Sequence, residues 1–152
     1  KNEYPMFKVN FEVVHISQYL SELITQNRLA FTGEYAKKVA YHDPCYLGRH
    51  NGVYDQPREV LQAIPGLELT ELPEAKVDSL CCGMGGGRIW AETEKHERFS
   101  NIRVEQALAC GAKELITACP YCITALEDSR LVMNHADDIE VKDITEIVQE
   151  LI

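Results

Sequence analysis

The fold is decided by a strand that runs directly into cysteine, since residues 114–122 have the sequence ELITACPYC. Residues 114–118 have the apolar and β-branched character of a buried strand, and residues 123–133 are predicted to form the helix that follows. An earlier segment has the same arrangement, because a predicted strand at 38–41 leads into Cys45, with a proline just before it that disfavours helix. Two cysteines far apart in the chain therefore each follow a predicted strand end.

Helices and strands alternate along the rest of the chain. Apolar periodicity and turn residues predict helices at 15–27, 57–64, 91–110, 123–133 and 143–150, and strands at 38–41, 67–72, 114–118 and 139–141. The last helix starts with Asp143 and Glu146 in capping-box spacing, and Gly111 ends the third. This alternation predicts an α/β fold with a mostly parallel sheet flanked by helices. Ligands bind at the carboxyl ends of such strands, so the cysteines are expected to converge there.

Composition excludes several classes of function. The chain has 152 residues, 45% of them hydrophobic, which suits one compact α/β domain. A net charge of -9 without a dense basic cluster argues against nucleic acid. No apolar run approaches the roughly 20 residues that cross a bilayer, so direct membrane insertion is not expected. Six cysteines without an export signal indicate metal binding or catalysis in a reducing compartment, which predicts a cytoplasmic location.

Five of the six cysteines lie in turns beside proline or glycine, where packing requirements are low: Cys45, Cys81, Cys82, Cys119 and Cys122. Cys110 differs, because it lies about three helical turns after Phe99 on the predicted helix. It is expected to share a buried face with Phe99, Ile102 and Ala107 and to serve as a small apolar core residue.

The five cysteines suit more than one kind of site. A structural zinc ion would accept the spacing of Cys119 and Cys122 together with two more thiolates. Adjacent residues such as Cys81 and Cys82 rarely direct both sulfurs at one small tetrahedral ion, whereas an iron–sulfur cluster with several irons can bind both. Both metal hypotheses use the same cysteines.

Two other local patterns are weaker. CPYC between a strand and a helix is similar to a glutaredoxin active site, but only thirty residues follow Cys122, too few for the rest of such a fold. The glycine-rich run 83–87 could bind phosphate through its N–H groups, yet it lacks nucleotide-binding spacing. Beside Cys82, glycine is better explained by close approach of the backbone to a cluster, with N–H donation to its sulfurs.

The spacing of the cysteines carries a specific resemblance. Cys45 is followed after thirty-five residues by Cys81-Cys82-Gly83, and thirty-six residues separate Cys82 from Cys119-x-x-Cys122. This pattern resembles the cysteine-rich CCG domain of the B and D subunits of heterodisulfide reductases and of related glycolate, lactate and sulfite-linked iron–sulfur oxidoreductases. The flanking sequences YHDPCYLGRHNGVYD (41–55) and TACPYC (117–122) are similar to the membrane-linked D-type branch.

The resemblance implies a redox role. It implies a non-cubane four-iron cluster held by the thiolates of Cys45, Cys81, Cys82, Cys119 and Cys122, with Gly83 also binding the cofactor. The domain would move electrons between a quinone, flavin or ferredoxin partner and a disulfide or organic-acid-linked substrate, as an oxidoreductase subunit or fragment incomplete on its own. His42 and Arg88 are the candidate catalytic residues, with Arg49 and His50 as further candidates, for protonating or orienting a thiolate product.

The resemblance also implies a larger parent protein. Residues 1–33 are then the tail and linker helix of a missing upstream domain, and residues 34–152 are the cysteine-rich domain. Its partners would be an upstream half with ferredoxin-like clusters and a membrane cytochrome or flavoprotein, which would hold the domain at the inner face of the membrane through a partner subunit. An isolated fragment can lose its metal, since oxygen destroys exposed clusters. The alternative hypothesis is a zinc-stabilised structural or interaction module.

Overall fold

The described residues form a parallel sheet between two layers of helices. The structure is a computed structural model that describes residues 4–152, so the first three residues of the predicted tail lie outside the described residues. The strands are β1 (Lys38–Tyr41), β2 (Glu68–Glu71), β3 (Glu114–Thr117) and β4 (Glu140–Asp143). Their order is β2-β1-β3-β4, and all three neighbouring pairs are parallel. The predicted α/β class with a mostly parallel sheet is confirmed.

Helices cover both faces of the sheet. They are α1 (Ile16–Thr25), α2 (Asp55–Gln62), α3 (Phe99–Ala109), α4 (Pro120–Val132) and α5 (Ile144–Leu151). Successive strand residues point to opposite faces. Val39 and Tyr41 pack with α1, α2 and α5, whereas Ala40 and Leu115 pack with α3 and α4. The result is a three-layer arrangement with one apolar core on each side of the sheet.

The strand order creates a crevice between β1 and β3. From β1 the chain passes through α2 to β2 at one side of the sheet, and from β3 it passes through α4 to β4 at the other. The carboxyl ends of β1 and β3 are therefore the point at which the chain changes direction, where open α/β sheets bind ligands. Cys45 follows β1 and Cys119 follows β3, so the fold brings both cysteines to this crevice.

Two predicted helix boundaries were wrong. The helix expected at 91–110 begins only at Phe99, and residues 91–98 contain a single 3-10 turn, Lys95–Glu97. No residue from 83 to 99 is buried, so a helix there would lack the tertiary packing that stabilises most helices. Helix α4 begins earlier than expected, at Pro120, because proline suits the first helical position. Cys122 consequently lies in the first turn of α4.

The buried face of α3 also differs from the prediction. This face consists of Ser100, Arg103, Val104 and Ala107. Of the side chains expected to accompany Cys110, Ala107 is buried as predicted, whereas Phe99 is 47% and Ile102 is 39% exposed. Cys110 is the C-cap residue of α3 and only half-buried, and its Sγ donates to the Gln106 carbonyl at 2.9 Å. The physical reason is that Arg103 occupies the inner face, which rotates the helix away from the apolar pattern.

The segment before α1 packs loosely. Between residues 4 and 14 only Val9 is even partly buried. Helix α1 itself is anchored, because Leu20 is buried and Ser21 donates to the Glu59 carboxylate on α2. Within residues 4–152, no helix combines the length and apolar character that crossing a bilayer needs.

A buried carboxylate interacts with three side chains at the amino-terminal edge of the sheet. Glu114, at the start of β3, accepts hydrogen bonds from Tyr35 Oη at 2.6 Å and from Lys37 Nζ at 2.5 Å, and Lys142 Nζ lies 3.5 Å away. Burial tends to raise the pKa of Glu114, but the two hydrogen bonds and the lysine charges outweigh it and hold the pKa below its usual 4.5. A depressed pKa stabilises the fold above the unfolded pKa, and this contribution is lost as pH falls through the folded pKa.

We expect Glu114→Gln to lower the free energy of unfolding at pH 7 by about 1–3 kcal/mol, because two lysines lose their shared partner. The difference from the parent should shrink as the pH falls below about 4.5 towards the folded pKa. Urea denaturation across this range measures it. A matched control is Glu68→Gln, whose exposed carboxylate lies 3.6 Å from Lys38, with an expected effect below about 1 kcal/mol. A loss that is independent of pH would contradict the assignment.

Candidate metal centre

Cysteines from three loops meet in one cavity at the crevice. The cavity has a volume of about 380 Å³. Four of its lining residues are cysteines: Cys45, Cys82, Cys119 and Cys122. Tyr46, Trp90 and Tyr121 form an aromatic rim, and each is more than half exposed. Cys45 and Cys119 thus contribute to one site, as the positions of the strand ends predicted.

Cys81 joins the same group although its side chain does not line the cavity wall. Its thiol hydrogen-bonds Cys82, and it is close enough to Cys45 to interact electrostatically. Its Sγ accepts the Gly83 N–H at 3.4 Å. Gly83 has φ +84°, a left-handed conformation that glycine adopts without strain. The five cysteines singled out by their turn positions therefore cluster, and Cys110 lies outside the cavity lining.

The thiols share hydrogen bonds unequally. Cys82 accepts from the thiols of Cys122 and Cys81, and these bonds hold its pKa well below the usual 9 despite burial. Cys119, the N-cap residue of α4, interacts with the Cys122 thiol and with the first backbone N–H groups of α4, which lower its pKa to about 6. Donation and burial raise the pKa of Cys81 and of Cys122. Two of the sulfurs are therefore already favoured as thiolates, the form that binds metal.

His42 lies beneath the cysteines in the core. It is fully buried just after β1, and one of its ring nitrogens lies within 4.8 Å of the sulfurs of Cys82 and Cys122. Burial lowers its pKa and favours the neutral ring. The Nδ1 atom accepts a hydrogen bond from Nε of Arg103 at 3.3 Å. The Nε2 atom is buried and has no hydrogen-bond partner among residues 4–152.

The other predicted polar residues lie further out. Arg88 is exposed and lines a second cavity of about 280 Å³ on the other side of Cys82 and Trp90. Arg49 donates to the carbonyl of Ser79 at 2.6 Å, which joins the Cys45 loop to the segment before Cys81. His50 is exposed and stacks on Tyr46 with ring centroids 4.6 Å apart. Of the polar candidates, only His42 contacts the thiol cluster.

The sequence did not predict a cluster of charged side chains near Cys45. We call this cluster the charged clamp; it consists of Asp43, Arg58 and Glu71. Asp43 is buried and accepts two hydrogen bonds from Arg58, at 2.7 and 2.8 Å, and one from the Lys76 backbone N–H at 2.8 Å. Arg58 also donates twice to Glu71 at the end of β2. The clamp fixes the β1 end, the β2 end and the loop before Cys81 to one another. An Asp immediately before Pro44 and Cys45 was the available signal, although its partner could not be inferred.

The cysteine pattern and the fold match one family of known proteins. A profile of the cysteine-rich domain family named CCG matches residues 39–127, more than half of the chain. The chain belongs to this family. The resemblance inferred from the cysteine spacing is therefore confirmed. The matched range covers β1 from Val39 onward, all of β2 and β3, and the five clustered cysteines.

Curated relatives cover nearly all of the chain. It is 40% identical over 150 residues to the probable iron–sulfur-binding oxidoreductase FadF of Bacillus subtilis, spanning 99% of this chain and 21% of that protein. It is 38% identical to the EtfAB:quinone oxidoreductase of Syntrophomonas wolfei, spanning 97% and 22%. The D subunit of the dihydromethanophenazine:CoB–CoM heterodisulfide reductase of Methanosarcina barkeri is 41% identical, spanning 92% and 34%.

The CCG chain thus spans about a fifth to a third of the length of these relatives. Their names are those of oxidoreductases and of a reductase subunit, in agreement with the expectation of an oxidoreductase subunit or fragment. No solved structure matches the chain significantly.

Proposed function

We propose that this chain is the iron–sulfur redox domain of a heterodisulfide-reductase-like oxidoreductase. The observation that carries the proposal is the convergence of five cysteine sulfurs at one sheet edge, two of them from adjacent residues. The proposed ligands are Cys45, Cys81, Cys82, Cys119 and Cys122, holding a four-iron cluster of the non-cubane type. Relatives that match nearly the whole chain carry iron–sulfur-binding and heterodisulfide reductase names.

The residues present fit such a group. The donor set is rich in sulfur, as iron–sulfur clusters require. Gly85, Gly86 and Gly87 line the cavity, and Gly86 and Gly87 have φ values of +63° and +81°, so the backbone can approach a bulky ligand without side chains in between. The buried Nε2 atom of His42 lacks a partner among the described residues, as a donor reserved for a bound group would.

The same geometry disfavours a zinc ion that is bound by His42. The atoms that come closest together for a single ion belong to His42, Cys82 and Cys122. A histidine that binds zinc donates its other ring N–H to an acceptor. Here Nδ1 faces the Nε–H of Arg103, and arginine can only donate. Zinc on Nε2 would therefore need a ring without protons or a broken Arg103 bond, and a tetrahedral ion would leave cysteines unused.

The chemistry assigned to the domain is electron transfer. When bound, a cluster of this kind supplies one-electron redox chemistry. The cysteines would hold it, Gly83 donates its N–H to the sulfur of Cys81, and the aromatic rim lines the cavity around it. We propose a quinone, flavin or ferredoxin partner at one end of electron flow and a disulfide or organic-acid-linked substrate at the other, in line with the names of the relatives.

The catalytic roles of His42 and Arg88 are proposals. Arg88 is exposed at the mouth of the second cavity and is placed to orient an anionic thiolate product. His42 is fully buried, so it acts on the cysteines rather than on a product in solution. Arg49 and His50 lie on the surface of the Cys45 loop and serve as candidate contacts for a substrate or partner.

We propose that the rest of the parent protein covers the loose N-terminal segment. Residues 1–33 would then be the tail and linker helix of an upstream half with ferredoxin-like clusters, and residues 34–152 the cysteine-rich domain. The exposed side chains of Phe7 and Phe11 support this arrangement, because they need an apolar neighbour. A membrane cytochrome or flavoprotein subunit would keep the domain in the cytoplasm at the inner face of the membrane.

Metal competition tests the proposed function. The metal-free chain is incubated anaerobically with iron and sulfide, with zinc, or with both, and then desalted and analysed for each metal. We expect iron and sulfide to be retained, a brown colour, and a reversible one-electron step in a redox titration. The control is Cys110→Ser with the same treatment. A colourless chain that retains only zinc in the mixture would support the structural alternative and contradict the redox role.

A further inference from the structure

A buried arginine donates a hydrogen bond to the histidine that lies beside the cysteines. Arg103 on α3 is fully buried. Its Nη1 donates to the Glu74 carbonyl at 2.9 Å and to Gln106 Oε1 at 2.8 Å, and its Nε donates to Nδ1 of His42 at 3.3 Å. Its Nη2 has no partner among residues 4–152, and the nearest carboxylate, Glu74, is 3.8 Å away and half-exposed.

A buried guanidinium without a close carboxylate contributes little to the stability of the fold. Taking a guanidinium out of water is unfavourable, and a distant, half-exposed carboxylate does not offset it well. An apolar residue of similar volume would serve the core between α3 and the sheet better. What such an apolar residue could not provide is the hydrogen bond from Arg103 to His42.

That bond decides where the proton of His42 lies. Neutral imidazole carries one proton, so one ring nitrogen donates and the other accepts. Because Arg103 Nε always donates, Nδ1 must accept, and the proton is confined to Nε2. Nε2 is the buried nitrogen without a partner among the described residues, and the ring lies within 4.8 Å of the Cys82 and Cys122 sulfurs. The protonated nitrogen is therefore available to donate a hydrogen bond to these sulfurs.

We propose that Arg103 is a positioning residue that locks His42 in the Nε2–H tautomer, so that His42 donates a hydrogen bond to the thiolates of Cys82 and Cys122 and raises the reduction potential of the bound cluster. Hydrogen bonds to ligand sulfurs stabilise the more negative, reduced state. The effect on potential rests on the proposed function. The tautomer lock does not, because it depends only on residues of this chain.

The tautomer of His42 is measured by NMR in the metal-free chain with ¹⁵N-labelled histidine. Two-bond and three-bond ¹H–¹⁵N correlations distinguish the two neutral tautomers, and we expect His42 to be Nε2–H. In Arg103→Met the Nδ1 proton becomes possible, so a mixture should appear. Arg103→Lys keeps a buried cationic donor and should restore most of the Nε2–H form. Ser129→Ala, which removes the hydrogen bond from α4 to Ser100 on α3, is the packing control and should leave the tautomer unchanged.

The potential is measured in the same variants after anaerobic reconstitution. Arg103→Met and His42→Phe should each shift the midpoint downward, with the ratio of reduced to oxidised cluster at a fixed potential falling by up to about tenfold, or about 59 mV. Arg103→Met should add little in the His42→Phe background, because it acts through His42. Arg103→Lys should have a midpoint close to that of the parent.

The outcomes separate the inference from the proposed function. A chain that retains no iron overturns the proposed function, while the spectrum of the metal-free chain still tests the lock. An Nδ1–H signal in the parent chain overturns the lock itself. Iron retained at the parent level together with an unchanged midpoint in both His42→Phe and Arg103→Met overturns the effect on potential.

Discussion

Cys82→Ser is expected to lose or alter its iron, with changed absorption and paramagnetic spectra. Cys82 is buried at the centre of the site, where it accepts hydrogen bonds from the thiols of both Cys81 and Cys122. Serine cannot supply a thiolate, and its hydroxyl is a poor ligand for iron. Cys82 lines the cavity, so its loss removes one of the five proposed ligands and one member of the adjacent pair. Anaerobic reconstitution followed by iron, sulfide and zinc analysis measures the effect.

Cys110→Ser is the matched control. Cys110 is half-buried outside the cavity, and its Sγ donates to the Gln106 carbonyl, a role that a serine hydroxyl can take over. We expect iron content equal to that of the parent and a stability loss below the roughly 1–3 kcal/mol of an unsatisfied buried hydroxyl. A zinc site could spare Cys82, and a CPYC redox site could spare both Cys81 and Cys82. Full iron retention in Cys82→Ser, or equal loss in both variants, would show that the ligand set is wrong.

Arg58→Leu is expected to lower the free energy of unfolding by about 3–5 kcal/mol, since it leaves the Asp43 carboxylate buried without its ionic partner. The side chains of Arg58 and Asp43 are 6% and 3% exposed and share two hydrogen bonds. After the substitution, the Lys76 N–H would be the one remaining donor to Asp43 among residues 4–152. Urea unfolding of the metal-free chain measures the loss, and iron retention should also fall because Asp43 holds the loop before Cys45.

Two further variants identify the cause of that loss. Adding Asp43→Asn to Arg58→Leu removes the buried charge and should recover part of the stability. Arg98→Leu breaks the half-exposed ion pair with Asp128 and should change stability by less than about 1 kcal/mol. If Arg58→Leu is no worse than Arg98→Leu, or if Asp43→Asn recovers nothing, the clamp does not stabilise this edge of the sheet.

Patterns that depend on local chain chemistry were predictable. The alternation of strands and helices gave the parallel sheet, and the two strand–cysteine junctions gave the crevice where Cys45 and Cys119 meet. Asp143 and Glu146 form the expected capping box at the start of α5. In each case neighbouring residues in sequence determine the structure, so a single sequence is enough.

Patterns that depend on distant partners were not predictable. Arg103 is charged, and on a helix a charge normally marks the solvent face. Gln106 is a neighbour one turn along α3, but the other two partners, Glu74 and His42, are brought to Arg103 only by the fold. The same holds for Arg58, whose partner Asp43 lies fifteen residues earlier in the chain. The buried face of α3 was predicted wrongly for the same reason, since Arg103 is one of the residues that form it.

The most direct test of a cluster on five thiolates is the composition of the anaerobically reconstituted chain, measured as iron, acid-labile sulfide and zinc per polypeptide together with its Mössbauer spectrum. We expect about four iron atoms, a comparable amount of sulfide and negligible zinc in the parent, with inequivalent irons that a symmetric cubane would not show. One zinc ion per chain without sulfide, or iron bound without sulfide, would contradict it.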